Sequence, residues 1–159
     1  MLTRLLLPLV RRAAPSRIVN VASAGQSPIS FDDVMLERGY DGMRAYAQSK
    51  LALIMFAFDL AEELEDTSVT ANSLHPASLM ATKMVFETFG SASSSVREGT
   101  EAAVRLAISP ELEGITGRYF DGQREARANK QAYEPEARDW LRRLSEELTG
   151  LRASGANSY

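Results

Sequence analysis

The stretch Tyr46-Ala47-Gln48-Ser49-Lys50-Leu51-Ala52-Leu53-Ile54-Met55-Phe56-Ala57-Phe58 decides how this chain folds. Tyr46 and Lys50 are four residues apart, which on a helix places both side chains on one face, a turn from each other. An ammonium held beside a phenol favours the phenolate. A tyrosine tuned in that way can give or take a proton at a carbonyl or alcohol oxygen. Taken alone, the pair also describes a solvated helix face. From Leu51 to Phe58 every side chain is apolar, and a helix apolar on all sides is buried on more than one face. One face can cover a sheet, and the other needs a second helix or another subunit. Asp41 or Gly42 can cap this helix, which is read over 43–64 before the sequence turns acidic at Glu62, Glu63, Glu65 and Asp66.

Working outward, Arg17-Ile18-Val19-Asn20-Val21-Ala22 is short and β-branched, as a buried strand should be. It ends in Ser23-Ala24-Gly25. Residues 26–40 are polar, are broken by Pro28 and read as a loop. Beyond the helix, Ser68-Val69-Thr70-Ala71-Asn72-Ser73-Leu74 is a second strand, stopped by His75-Pro76. A short helix is expected over 83–89 and a longer one over 98–108 with Ala102, Ala103, Leu106 and Ala107 inward. Thr116-Gly117-Arg118-Tyr119-Phe120 reads as a third strand, and 123–133 as a charged surface loop. Pro135 suits the first turn of a last helix. Ala137, Leu141, Leu144 and Leu148 are expected inward on it, with Gly150 ending it.

Composition bounds the reading. The chain has 159 residues, 45% of them apolar and 25% charged, which is one ordinary domain's worth of globular sequence. The net charge of -3 gives no basic field for nucleic acid. There is no cysteine, which excludes disulfides and thiol chemistry and fits a reducing, cytoplasmic setting. The single histidine, His75, argues against a histidine-based zinc site. Beside Pro76 it reads as a strand terminator. Residues 1–31 hold no acidic residue and four arginines, a composition that resembles a transit peptide. The apolar run 5–10 is too short to span a membrane. The preferred reading of 1–12 is a helix with Leu2, Leu5, Leu6 and Leu9 on one side, stopped at Ala13-Ala14-Pro15.

Strands alternating with helices predict an α/β layer fold with a parallel sheet of about three strands and flanking helices. Ligands of such sheets bind beyond the carboxyl ends of the strands. Ser23 and His75-Pro76 lie at two such ends, and the helix after the first strand brings Tyr46 toward the same edge.

At this point the residues resemble a family, the short-chain dehydrogenases/reductases. Ile18-Val19-Asn20-Val21-Ala22-Ser23 looks like the strand that ends in the family's serine. Tyr46-Ala47-Gln48-Ser49-Lys50 looks like its Tyr-x-x-x-Lys. Val69 to Pro76 looks like its next strand, with the proline that borders the nicotinamide, and Thr82 matches the threonine that follows. Phe31-Asp32-Asp33, Glu37-Arg38 and the run from Ala45 to Leu53 are similar to the retinol-dehydrogenase-like branch.

The resemblance implies a partial Rossmann-like sheet over residues 1–150, a flexible tail over 151–159, and NAD or NADP as cofactor. It implies that Tyr46 is the acid/base on the substrate oxygen. Lys50 would favour the Tyr46 phenolate and hold the nicotinamide ribose, and Ser23 would hydrogen-bond the substrate carbonyl. Tyr46, Lys50, Pro76 and Thr82 would border the cofactor. The substrate would be a small alcohol, aldehyde or ketone, with no nucleic-acid partner and no membrane span.

Two departures stand beside it. Ala77 replaces the usual glycine after the proline. No Gly-x-x-x-Gly-x-Gly, Gly-x-Gly-x-x-Gly or Asn-Asn-Ala-Gly occurs, nor does the helix asparagine of the family's proton relay. The expected protein is therefore the C-terminal, catalytic part of a short-chain oxidoreductase without the pyrophosphate turn. The alternative is a non-enzymatic truncated homologue acting through helix-mediated association. The Ile18 strand is expected at an open sheet edge. A homo-oligomer, in the simplest case a dimer, is expected through the all-apolar helix, with Ile54 and Phe58 facing outward.

Overall fold

The computed structural model describes residues 1–151. The expected tail therefore lies, apart from Leu151, outside the described residues. Among the described residues, four strands form one sheet in the order β1 (Ser16–Val21), β2 (Val69–His75), β3 (Tyr119–Asp121), β4 (Arg124–Ala126). The first three run parallel, with Ile18 opposite Ala71 and Ser73 opposite Tyr119. The fourth returns antiparallel, pairing Phe120 with Glu125. This fourth strand falls in the segment read from sequence as surface loop. Gly122 closes the reversal with φ +57°, a left-handed backbone that glycine adopts without penalty. The strand is only three residues long, and a hairpin this short carries almost no periodic signal.

Among the described residues, five α-helices flank the sheet: α1 (Leu2–Arg12), α2 (Gly42–Glu63), α3 (Lys83–Phe89), α4 (Val96–Ile108) and α5 (Pro135–Thr149). Strand β2 is buried at every residue, because it is central and covered on both faces. On one face, Val19, Leu74 and Phe120 pack against Ala102 and Leu106 of α4. On the other, Ile18, Val69 and Ala71 meet Leu60, Ala61 and Leu64 of α2, together with Leu7 and Val10 of α1.

The all-apolar run of α2 is accounted for within one chain. Leu51, Ile54 and Met55 are fully buried and Phe58 nearly so. Their neighbours include Ala132, Ala137 and Leu141 from the end of the chain. Full burial of each such side chain contributes about 1.5–3 kcal/mol. The expectation that Ile54 and Phe58 face outward is thus overturned. The second helix that the pattern called for is supplied twice, by α1 on one flank and α5 on the other. Arg4 of α1 pairs with Glu63 and lies 5.5 Å from the Phe56 ring centre. Arg138 of α5 bridges Asp59 and Glu62. The exposed apolar surface sits instead on α1, where Leu2, Leu5, Leu6 and Leu9 face solvent. Ala107 and Leu148, expected inward, also lie outside, and Ala107 is exposed although its neighbour Leu106 packs against the sheet. No described helix is long and apolar enough to cross a membrane.

Candidate active site

The site is built at the carboxyl end of β1. The parallel ladder runs one residue past the strand, with Ala22 N–H donating to Leu74 O at 2.8 Å. The chain then leaves the sheet at Ser23, which is only 6% exposed. Its Oγ accepts a hydrogen bond from Gly25 N–H at 3.0 Å. The serine hydroxyl proton has no acceptor among the described residues. A β-carbon at Gly25 would lie 3.5 Å from Ser23 Oγ and 3.8 Å from Cε1 of Tyr46. Ser23 and Tyr46 therefore border one point, on which glycine keeps the space open.

Helix α2 fixes Tyr46 and Lys50 in its first two turns. Asp41 starts it, its carboxylate accepting from Arg44 N–H at 2.7 Å as an N-cap. Tyr46 is 42% exposed, so its ring edge is open to a ligand. One turn on, Lys50 Nζ lies 5.4 Å from the Tyr46 ring centre. It donates to Val21 O on β1 at 3.4 Å. That bond engages one ammonium hydrogen and leaves two for a ligand. Ser27 N–H reaches Ala47 O at 3.4 Å and ties the loop after Ser23 to the same helix. Ser23, Tyr46 and Lys50, on elements 20 to 30 residues apart in sequence, thus meet at one sheet edge.

Pro76 follows β2 directly and is buried. Helix α4 approaches it closely, since a β-carbon on Gly99 would lie 3.5 Å from Pro76 Cβ and would collide with the Met80 sulfur. Thr82 stands apart. Its Oγ1 accepts from Val85 N–H at 3.4 Å and caps α3, and no hydrogen bond joins it to the other four residues. His75 closes β2, with Nε2 3.0 Å from Ser78 Oγ and its carbonyl accepting from Gly122 N–H at 2.8 Å. Burial pushes its pKa below the usual histidine value, with Asp121 opposing. The strand read as stopping before His75 thus includes it, since His75 pairs with Asp121 of β3 and the ladder ends at Pro76, which has no N–H to continue it.

Several residues around Ser23 were not singled out in sequence. Tyr119, on β3, donates from Oη to Ser23 O at 3.1 Å. Gln26 donates to the same carbonyl at 2.9 Å and accepts from Asn129 N–H at 2.8 Å. Gln131 brackets Ile29, accepting from its N–H at 2.7 Å and donating to its carbonyl at 3.2 Å. The available signal was a tyrosine in a buried strand, whose hydroxyl must find a partner.

Comparison with known proteins follows the same outline. A family profile described as short chain dehydrogenase matches residues 1–90. Retinol dehydrogenase 14 from Homo sapiens is 37% identical over 165 residues, which cover 95% of this chain and 49% of that protein. Retinol dehydrogenase 13 from Mus musculus is 33% identical over 168 residues, at 95% and 50% coverage. An uncharacterized protein from Mycobacterium paratuberculosis superposes with a TM-score of 0.68 at 25% identity, covering 95% of this chain and 55% of that one. A 3-ketoacyl-(acyl-carrier-protein) reductase from Brucella melitensis, solved with NADH, gives a TM-score of 0.57 over 75% of this chain and 49% of that one. At 23% identity, this last likeness speaks for the fold alone. The chain spans about half the length of the curated relatives it matches.

Proposed function

The chain belongs to the short-chain dehydrogenase family, in its retinol-dehydrogenase-like branch, and from that premise we propose that it carries the catalytic part of an NAD(P)-dependent oxidoreductase interconverting an alcohol and a carbonyl compound. The observation that carries this reading is the meeting of Ser23, Tyr46 and Lys50 at the carboxyl end of β1, with Gly25 between the serine and the tyrosine. When bound, the dinucleotide supplies or accepts the hydride.

The protein's own residues handle the oxygen. In reduction, Tyr46 gives its phenolic proton to the carbonyl oxygen as that oxygen gains charge. In oxidation, it takes the proton from the alcohol. The Lys50 ammonium favours the negative charge left on the phenolate. Ser23 has a hydroxyl proton to donate because Gly25 N–H occupies an oxygen lone pair instead. Its hydrogen bond orients the carbonyl and stabilises the developing oxyanion.

The residues present fit the nicotinamide–ribose end of the cofactor. Lys50 has two hydrogens for a diol, and Pro76 gives a buried apolar border. Thr82 is the weaker member, since its oxygen already caps α3. For the pyrophosphate end the 159 residues hold no glycine-rich turn, so that seat lies outside them in this reading. A cytoplasmic setting is also proposed, on the absence of cysteine, and subcellular fractionation tests it.

The deciding experiment uses NADH and NADPH deuterated at the transferable position, with a panel of aldehydes and ketones. The chain is assayed alone and joined behind the glycine-rich half of a retinol dehydrogenase. Deuterium on the product's carbinol carbon is expected from the joined form. No transfer from either form, with both folded, contradicts the reading. A second reading, a non-enzymatic homologue acting through helix-mediated association, is favoured by the solvent-facing leucines of α1. Light scattering with and without Leu5→Glu and Leu9→Glu tests it, and a monomer at all concentrations tells against it.

A further inference from the structure

Ser23 sits just after a strand, where the sheet no longer fixes the backbone. Its hydroxyl is one rotatable bond from that backbone, so two quantities must be held: the peptide plane and the side-chain torsion. The torsion is set by Gly25 N–H on Oγ at 3.0 Å. The peptide plane is set by two donors on Ser23 O. Gln26 Nε2 comes from the local loop at 2.9 Å, and Tyr119 Oη comes from 96 residues away at 3.1 Å. We propose that Tyr119 and Gln26 are positioning residues for Ser23, converging on its carbonyl so that the serine hydroxyl is held at the Gly25 gap beside Tyr46. This inference rests on the catalytic reading of Ser23.

The geometry makes the clamp stiff. Tyr119 is 3% exposed and belongs to β3, opposite Ser73 of the central strand, so the reference frame is the sheet rather than another loop. Burial, with Asp121 adding to it, pushes the Tyr119 hydroxyl up to about 12, so it remains a donor through the whole working pH range. Gln26 is itself held, its Oε1 accepting from Asn129 N–H at 2.8 Å. The two bonds between Gln131 and Ile29 fasten the far side of the same loop to the same C-terminal segment. The loop that carries the serine is thus held against residues 129–131, far off in sequence.

The test removes single hydrogen bonds and reads them locally. Tyr119→Phe and Gln26→Met are compared with the parent 159-residue chain by amide hydrogen exchange. Loss of one neutral hydrogen bond corresponds to roughly fivefold in a local opening equilibrium. Gly25 N–H is therefore expected to exchange about fivefold faster in each variant, with the amides of Ala71 and Leu74 in β2 unchanged. In the joined, active form, each variant should lose about tenfold in kcat at unchanged KM. That loss should vanish in a Ser23→Ala background.

Unchanged exchange at Gly25, or equal acceleration in β2, overturns the proposal, the second by showing a general stabilising role. Normal turnover in Ser23→Ala would defeat the catalytic reading of Ser23 instead, and the exchange result is independent of that outcome. Gln26 lies in the half-buried loop, so its variant gives the same readout should Tyr119→Phe fail to fold.

Discussion

Replacing Arg138 by Met tests how α2, the helix carrying Tyr46 and Lys50, is clamped at its far end. Arg138 is 11% exposed, with Nη1 3.4 Å from Asp59 and Nη2 2.7 Å from Glu62. Burial is the largest influence on Asp59 and raises its pKa above the usual carboxylate value, while Arg138 pulls it back. Methionine keeps much of the stem and removes the charge. Glu62 is 66% exposed and can turn to water, so its share of the loss is near zero. The cost falls on Asp59, left as a part-buried charge with its nearest cation gone. Removing one partner of a buried pair costs about 3–5 kcal/mol. With only one of the two carboxylates trapped, the lower figure applies, about 3 kcal/mol at neutral pH. For a chain of this size that is a fall in Tm of roughly 6–12 °C.

The pH dependence has a definite sign. Because the folded-state pKa of Asp59 is raised, the native protein takes up the proton before the unfolded chain does. The penalty is full above the folded pKa and is relieved as pH falls through it toward the unfolded value of about 3.8. Without Arg138 that relief begins at higher pH, so the gap between variant and parent should narrow on acidification. Urea unfolding across a pH series measures it, and adding Asp59→Asn to the variant should restore most of the loss. A cost under about 1 kcal/mol, or a gap equal at neutral and mildly acidic pH, would refute the reasoning.

Three further outcomes are expected. His75 has a lowered folded pKa, so the unfolded chain binds its proton first. Stability should therefore fall as pH drops below about 6.5, and His75→Gln should flatten that slope; an unchanged slope in urea titrations would count against it. Ile54→Glu or Phe58→Glu puts a charge into the core between α2 and α5 and should give insoluble or unfolded protein, whereas Leu5→Glu with Leu9→Glu on exposed α1 should leave circular dichroism and Tm within error of the parent. Titrating the 159-residue chain with NADH or NADPH by calorimetry should show no saturable micromolar binding, since it holds no glycine-rich turn; micromolar binding would mean that another segment seats the phosphates.

What could be read from the sequence was what lies within one element. The 3.6-residue spacing placed Tyr46 and Lys50 together, and Asp41 marked the helix start, because helix caps and faces are local. The β-branched run at Ile18 and the His75-Pro76 stop gave β1 and β2 to within a residue or two. The partners of α2 were not legible. A helix apolar on every side says that something covers it, and it cannot say whether that is α1, α5 or a second copy. The same limit hid the Ser23 clamp. Two of its hydrogen bonds, Tyr119 to Ser23 O and Asn129 N–H to Gln26, cross 96 and 103 residues of sequence, and no spacing rule links them. Strand β4 was lost for a different reason, its three charged or small residues being indistinguishable from a loop.

The central claim is that Tyr46 moves the proton. The direct measurement is kcat for Tyr46→Phe in the joined, active form, with circular dichroism run alongside to verify the fold. The ring is kept and only the hydroxyl is removed, from a residue on an intact helix and 42% exposed, so Tm should stay within about 1 °C of the parent's. Positioned acid/base catalysis contributes about 10²–10⁴-fold, and kcat should fall by that factor. A Tyr46→Phe protein that folds normally and turns over within about threefold of the parent would contradict the assignment.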